Sequence, residues 1–339
     1  MKTAEGLKRV RLLLGLSQAD LASAAGLSRA LVSAVETGRH TPSVDAALAL
    51  AGALGVAVED LFTPAPVQER PIFGAPLDGA PVLAARVGDV LVYDAVPEQG
   101  VAGPHWRAPD GVVRDGRIKL FDRPRPDGFV VAGCDPALGL AAGLLPDRGP
   151  ARLLAVAASS AAARDALERG VVHAIVVHGT GPSPSSGAPA SRRVHLARWE
   201  VGLAALPQMP LELGRSESVA VARRDPGAES QQALERARAA AGGGMRPLRG
   251  PVVAGHLEAA RLVALGVAEL GVTMRPAAMA FGLSFLGLEE HDVQLWVADQ
   301  WWDHPGAQAL IEVIASGGFR RRLEHLGGYD LAGAGEPVA

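Results

Sequence analysis

The chain has 339 residues, 48% hydrophobic and 20% charged, enough for two or three domains with separate cores. A formal net charge of −3 excludes a generic nucleic-acid coat protein, and a single cysteine, Cys134, excludes an internal disulfide framework or a multi-cysteine metal site. No charged-then-apolar leader opens the chain, and its apolar runs are broken by Gly, Pro or charge before they reach a spanning length, so a cytoplasmic protein with no membrane partner is expected.

Residues 16–39, LSQADLASAAGLSRALVSAVETGR, predict two short helices joined by a tight turn. Ser17 suits the N-cap of the first, with Leu16 and Leu21 placed as a hydrophobic staple, and Ala19, Leu21, Ala22 and Ala25 keep helical spacing. Gly26 supplies a left-handed turn position and Leu27 plugs the space between the helices. Ser28 caps the second helix, which turns Leu31, Val32 and Val35 inward and leaves Arg29, Ala30, Ser33 and Ala34 outside. That narrow outer face fits a DNA major groove.

On LSQADLA, GLSRALVSAVETGRHTPSVDAALALAGALGV and the closing VEDLF, residues 5–62 resemble the lambda repressor/Cro-type helix-turn-helix family, also called the xenobiotic-response-element (XRE) family. The resemblance implies that Arg29, Ala30, Ser33 and Ala34 read bases while Gln18, Ser28, Thr37 and Arg39 hold phosphates of a double-stranded operator, bound by a homodimer. Residues 1–62 hold six Lys/Arg (Lys2, Lys8, Arg9, Arg11, Arg29, Arg39) and six Asp/Glu (Glu5, Asp20, Glu36, Asp45, Glu59, Asp60). Affinity should therefore rest on placement and dimerisation more than on bulk charge. The alternative is a five-helix bundle used for protein contacts.

Residues 63–71, TPAPVQERP, read as a linker, and 72–124 as a small β-rich connector built on PVLAARV, DVLVYDAV and GRIKLF. The stretch PEQGVAGPHWRAPDG, with Trp106 and Arg107, reads as a surface loop, a lid or dimer contact being the alternative.

From residue 125 apolar strands alternate with helices in GFVVAGCDPALGLAAGLL, ARLLAVAASSAAARDALERG and VVHAIVVHGTG, the rhythm of a parallel sheet covered by helices. Strand ends pass into helix starts at Cys134-Asp135-Pro136 and Ser159-Ser160, where free backbone N–H groups favour anions. Further on, VHLARWEVGLAAL and SESVAVARRD predict strands or crossover segments. A helix opens at Glu229 or Ser230, GHLEAARLVALGVAELGVTM gives a helix then a strand, VQLWVADQ a strand, and HPGAQALIEVIASGGFRRRLEHLGGYD a helical close. The loop GTGPSPSSGAPAS at 179–191 reads as a mobile connection.

Through AGCDPALGLAA, SSAAARDALERGVVHAI, EAARLVALGVAELGVTMRPAAMAFGLSFLGL and the terminal LGGYD, residues 125–332 resemble the periplasmic-binding-protein-like domain related to molybdate-binding and LysR-type effector domains. The implied fold class is multidomain: an all-α helix-turn-helix bundle (1–62), the β-rich connector, an α/β two-lobed type-2 periplasmic-binding-protein-like domain (125–332) and a flexible tail (333–339). The resemblance further implies a small ligand between the lobes, an oxyanion such as molybdate or tungstate, with a small organic acid or a pterin-related metabolite as alternatives. Asp135, Ser159, Ser160, Ser230, Gln231 and His256 are the implied contacts, each with an alternative reading as a cap or turn residue. The chain departs from the family at DPGAESQQAL, where Glu229 would repel an anion unless Arg223 and Arg224 offset it.

No metal-ligating or catalytic set is expected. His173 and His178 lie five apart on a predicted strand and point to opposite faces, and His195, His291, His304 and His325 have no partner at ligand spacing. Cys134 stands beside Asp135 with no assignable histidine and acid. Arg320-Arg321-Arg322 reads as a solvated helix face, and one ring of Trp301-Trp302 as core cover. The reading is a dimeric, ligand-responsive transcriptional regulator with no cofactor, not an enzyme. Its alternatives are a metabolite-converting enzyme with an autoregulatory helix-turn-helix and a ligand-free partner-recruiting module.

Overall fold

A computed structural model describes residues 4–62, 68–96, 108–122, 126–180, 189–242 and 246–338. The chain divides into two compact units, Met1–Gln68 and Glu69–Ala339. Among the described residues no helix is long and apolar enough to cross a membrane.

The first unit is a bundle of α1 (Ala4–Leu13), α2 (Gln18–Ala24), α3 (Arg29–Glu36), α4 (Val44–Leu54) and α5 (Val58–Phe62). Its helix starts follow from side-chain capping: the Ser17 hydroxyl accepts from the Asp20 N–H while the Asp20 carboxylate accepts from the Ser17 N–H at 2.9 Å, a reciprocal box. Ser28 and Ser43 cap α3 and α4 one-sidedly, each through its hydroxyl alone. Gly26, at φ +64°, takes the left-handed turn that the sequence predicts. Leu7, Leu21, Val32, Val35, Leu50, Leu54 and Leu61 close the core. Beside it, Arg11 donates to both oxygens of the buried Glu36 at 2.6 and 3.0 Å and to the Leu16 carbonyl, tying α1 to α3 and the turn before α2.

The second unit opens with β1 (Gln68–Pro71), β2 (Pro81–Val87), β3 (Val90–Ala95), β4 (Gly111–Arg114) and β5 (Arg117–Leu120), ordered β1-β3-β2-β4-β5. Asp115 and Gly116, both at positive φ, make the two-residue turn between β4 and β5. Two expectations change here. Residues 68–71, read as linker, form an edge strand, because Pro71 tolerates an edge where a central strand would reject it. The β-rich segment is no free-standing connector: Ile72, Leu83, Ala85, Val87 and Val92 share one core with Val130, Leu154, Ile175 and Trp296 of the following domain. A bidentate pair from Arg152 to Asp110, at 3.0 and 2.9 Å, binds the same junction.

The remainder runs β6 (Phe129–Gly133), α6 (Ala137–Ala142), β7 (Leu153–Ala157), α7 (Ser160–Glu168), β8 (Ala174–Gly179), β9 (Ser191–Ala205), β10 (Val221–Arg224), α8 (Glu229–Ala240), β11 (Val252–Val253), α9 (His256–Ala264), β12 (Leu270–Met274), α10 (Arg275–Ala280), β13 (Ser284–Ala298), α11 (Pro305–Ala315), α12 (Gly317–Leu326) and β14 (Pro337–Val338). Strands β6, β7 and β8 are parallel and form the sheet of lobe one, with β10, β11 and β12 doing the same for lobe two. The 15-residue strands β9 and β13 cross between them. They pair antiparallel from Ser284 opposite Ala205 to Ala298 opposite Ser191, and meet β12 at one end and β8 at the other. Gly202 allows that close crossing, since a Cβ there would run into the Leu286 carbonyl.

Three further expectations are corrected. The strand predicted at VQLWVADQ begins nine residues earlier than its first valine, at Ser284, because pairing with β9 carries it across both lobes. The closing helical pattern breaks at Ser316, whose hydroxyl accepts from the Phe319 N–H to start α12. The expected flexible tail instead adds β14 to β9, with Ala334 buried in the core. Trp106, Arg107 and residues 181–188 of the predicted mobile loop lie outside the described residues.

Candidate functional site

The helix-turn-helix face is built from α2 and α3. Arg29 and Ala30 are exposed, whereas Ser33 and Ala34, expected wholly outside, are half-buried because α3 is only eight residues long and packs through Val32 and Val35. The Ser28 hydroxyl is occupied in capping Leu31 at 3.1 Å. Thr37 donates to the Ser33 carbonyl at 2.8 Å and accepts from Arg39 Nε at 3.1 Å, which fixes Arg39 at the end of the helix. Gln18 Nε2 donates to Glu36 at 2.8 Å, so the Arg11–Glu36 pair aims this amide and leaves one N–H and the oxygen for another partner.

The second site lies where the lobes meet. From lobe one come Cys134 and Asp135 after β6, Ser159 and Ser160 at the start of α7, and His178 near the end of β8. Lobe two gives Arg224 at the end of β10, Ser230 in α8 and His256 opening α9; the crossing strands bring Trp199 and His291. The lobes touch here, for a Cβ placed on Gly227 would lie 3.2 Å from the Ala161 Cβ.

One chain of hydrogen bonds fixes the tautomers. Glu289, itself held by both arms of Arg236 at 2.8 and 2.7 Å, accepts from His291 Nε2–H at 3.2 Å. The lone pair left on His291 Nδ1 accepts from His178 Nδ1–H at 2.8 Å, and the lone pair on His178 Nε2 faces the Cys134 thiol at 3.2 Å. Burial pushes His178 and His256 well below the usual imidazole range and lowers His291, so all three are neutral. Burial likewise lifts the Cys134 thiol to about 11, against the guanidinium of Arg224 beside it.

Of the six expected contacts, three are taken up internally. Asp135, its pKa raised by burial, accepts from the Ala137 N–H, Trp199 Nε1 and the Tyr329 hydroxyl at 2.8, 2.9 and 2.9 Å. Ser159 caps α7. Gln231 accepts from the Arg224 N–H at 3.0 Å and donates to Glu235 at 2.8 Å. Ser160 Oγ stands 3.4 Å from the His178 N–H that it accepts. Ser230 Oγ and both ring nitrogens of His256 are buried and find no hydrogen-bond partner among the described residues.

Sequence reasoning missed the convergence of His178, His291 and Cys134, and His291 does have partners, contrary to expectation. Arg224 entered only as an offset to Glu229. In the structure it is 2% exposed, donates through Nη2 to the Ala254 carbonyl at 2.7 Å, and leaves Nε and Nη1 without a hydrogen-bond partner. Its place at the end of β10, just before α8, is the signal that could have found it. Glu229 is compensated by Arg236 at 3.5 Å. His173 belongs to a separate cluster with Phe129, Trp301 and His304, where its Nδ1 accepts from the Val130 N–H at 2.9 Å.

Comparison with known proteins agrees with this architecture. Residues 142–315 match the family model of the PBP superfamily domain, and residues 7–61 that of the helix-turn-helix. The chain is 43% identical over 56 residues to an uncharacterized HTH-type transcriptional regulator of Methanocaldococcus jannaschii, covering 16% of this chain and 85% of that one. It is 31% identical over 84 residues to an uncharacterized protein in the ferredoxin 2Fe-2S gene 5′ region of Clostridium pasteurianum, covering 24% and 74%. Among solved structures, the restriction-modification controller protein C.AhdI from Aeromonas hydrophila is 39% identical, with 18% and 92% covered and a TM-score of 0.18. The effector binding domain of QuiR in complex with shikimate is 10% identical, with 59% and 99% covered and a TM-score of 0.42. The chain belongs to the HTH-type transcriptional regulators through its N-terminal unit and to the PBP superfamily through its C-terminal domain, a DNA-binding regulator fused to a PBP-like domain.

Proposed function

We propose that this regulator binds its operator as a cytoplasmic homodimer and that a small anion held between the two lobes sets its hold on DNA. Arg224 carries the reading. A buried guanidinium with two unpartnered nitrogens is costly unless a negative group meets it; His256 lies within its electrostatic reach, and Ser230, likewise buried with an unpartnered hydroxyl, comes from the helix that follows it. Ser160 faces the same junction from lobe one, while Asp135, Ser159 and Gln231 hold its frame. A molybdate- or tungstate-like oxyanion and a small carboxylate both supply the required charge. Binding rather than turnover is the role we read here, and burial, which raises the Cys134 thiol to about 11, accords with it by disfavouring an activated thiolate.

On the DNA side, Arg29 and Ala30 read bases with Ser33 and Ala34 behind them, Gln18, Ser28 through its hydroxyl hydrogen and Arg39 hold phosphates, and Thr37, its own hydroxyl donating to the Ser33 carbonyl, positions Arg39. The homodimer is supported by an apolar groove on the first unit, lined by Pro42, Val44, Leu48 and Phe62, whose Val44 and Leu48 are exposed.

The test is a thermal-shift and calorimetric titration of the full chain with molybdate, tungstate and a panel of small carboxylates. A ligand at a hundred times its Kd adds about 2.7 kcal/mol of stability. Arg224→Gln should abolish that gain and the accompanying change in operator affinity. A hit that survives Arg224→Gln unchanged places the ligand elsewhere, and silence across the panel refutes the anion reading.

A further inference from the structure

We propose that Cys134, His178 and His256 form a binding site for a thiophilic d-block cation, copper(I) in preference to zinc(II), that bridges the two lobes. One ligand atom from each of the three lies within 4.8 Å of the others. Metal–sulfur and metal–nitrogen bonds of about 2.3 and 2.0 Å bring such donors to within reach of one ion with only small side-chain movement. Three observations make this more than a cysteine near two histidines.

First, the lone pair is aimed. The relay from Glu289 through His291 leaves His178 with its proton on Nδ1 and its free pair on Nε2, directed at Cys134 Sγ. Histidines that ligate metals are held in this way, by an acceptor on the far nitrogen. Second, His256 is wholly buried with both ring nitrogens unpartnered, so one can offer a lone pair while the other keeps its N–H for a neighbouring anion. Third, the donors come from both lobes, Cys134 and His178 from lobe one and His256 from lobe two, so an ion held by all three pins the cleft shut.

Charge selects the ion. On binding, the metal replaces the proton on Cys134 Sγ, that proton leaves to solvent, and no electron changes hands. A monovalent ion with one thiolate and two neutral imidazoles is uncharged, whereas a divalent ion leaves a net positive charge next to the Arg224 guanidinium in a shielded site. Thiolate and imidazole together suit copper and zinc, and the thiolate favours copper(I). The site shares His256 with the anion reading through its other ring nitrogen, and Arg224, which is no ligand of the metal, separates the two.

The experiment titrates the full-length, chelator-treated, reduced protein anaerobically with copper(I) against a chromogenic copper(I) chelator, and separately with zinc chloride. One equivalent of copper(I) should bind, with a sulfur-to-copper absorption band in the near ultraviolet. Cys134→Ser should weaken it by more than about 100-fold, beyond the roughly 10–100-fold that a lost supporting partner costs, and His291→Phe should fall in that latter range. Arg224→Gln should lose anion binding and keep copper(I). Substoichiometric binding, or equal binding by Cys134→Ser, overturns the site; tighter zinc than copper overturns the charge argument. Should a variant fail to fold, X-ray absorption of the loaded wild-type protein decides, because a first coordination sphere without sulfur overturns the proposal.

Discussion

Asp94, near the end of β3, is half-buried, and desolvation raises its carboxyl to about 6 from an ordinary 3.8, with only the Ala95 N–H opposing. The folded state therefore binds more protons than the unfolded chain between about pH 4 and 6, and stability falls as pH rises through that window. Above it the ionised carboxylate costs about 1–3 kcal/mol. Asp94→Asn should raise the Tm at pH 7.5 and give no gain below pH 4; a gain of equal size at both pH values would mean that the ionised form is not what costs stability. Arg29 makes the opposite kind of prediction, since it is exposed and supports no packing. Arg29→Ala should leave the Tm unchanged and cost about 1–3 kcal/mol on operator DNA but much less on random DNA. Equal losses in binding assays on the two would assign it to the phosphates. At this scale the sequence speaks through local chemistry: Ser17, Gly26 and Ser28 act within three residues of themselves and were legible. Cys134 reaches His178 across 44 residues and His178 reaches His291 across 113, and no spacing rule carries that distance.

Elements that announce themselves by period were read well and those defined by a partner were not. The α7 and α9 segments keep helical spacing, and β6 throughout and β8 up to His178 are apolar, as strands buried on both faces must be. Strand β13 is different. Its first half, SFLGLEE, is only partly buried and shows no alternation, because its course is set by β9 and by register shifts at Gly287/Glu289 and Val293/Gln294. Likewise β1 and β14 are short edges whose only cause is the strand beside them. The turn between β10 and α8 shows how such placement reaches function. Gly227 packs against Ala161 at the head of α7, so Gly227→Val should hold the lobes apart and weaken copper(I) binding, whose donors come from both sides, while Gly227→Ser does so less. Unchanged copper(I) affinity in the valine variant would show that the lobes do not meet at this turn in solution.

At the scale of the whole molecule, the helix-turn-helix and the proposed ligand site belong to different compact units, so regulation by a ligand has to be a coupling free energy between them. Dimerisation is the simplest carrier, because two recognition helices must reach half-sites about one helical turn apart. Leu48→Asp, which charges the exposed apolar groove of the first unit, should yield a monomer by analytical ultracentrifugation and weaken operator binding without touching the lobes. A monomeric variant with undiminished operator affinity would remove the dimer from the account. Linkage then makes a stricter demand. If closing the cleft changes operator affinity by a factor of about 5–150, equivalent to roughly 1–3 kcal/mol, a saturating operator must change affinity for the cleft ligand by the same factor. An operator selected from random DNA and copper(I) as cleft probe are sufficient to close the cycle: two DNA titrations, with and without metal, and two metal titrations, with and without DNA. Equal factors would establish that both sites bias one equilibrium. A factor of one in both would leave the metal a fixture of the fold, and the signal would then have to enter through Arg224 alone.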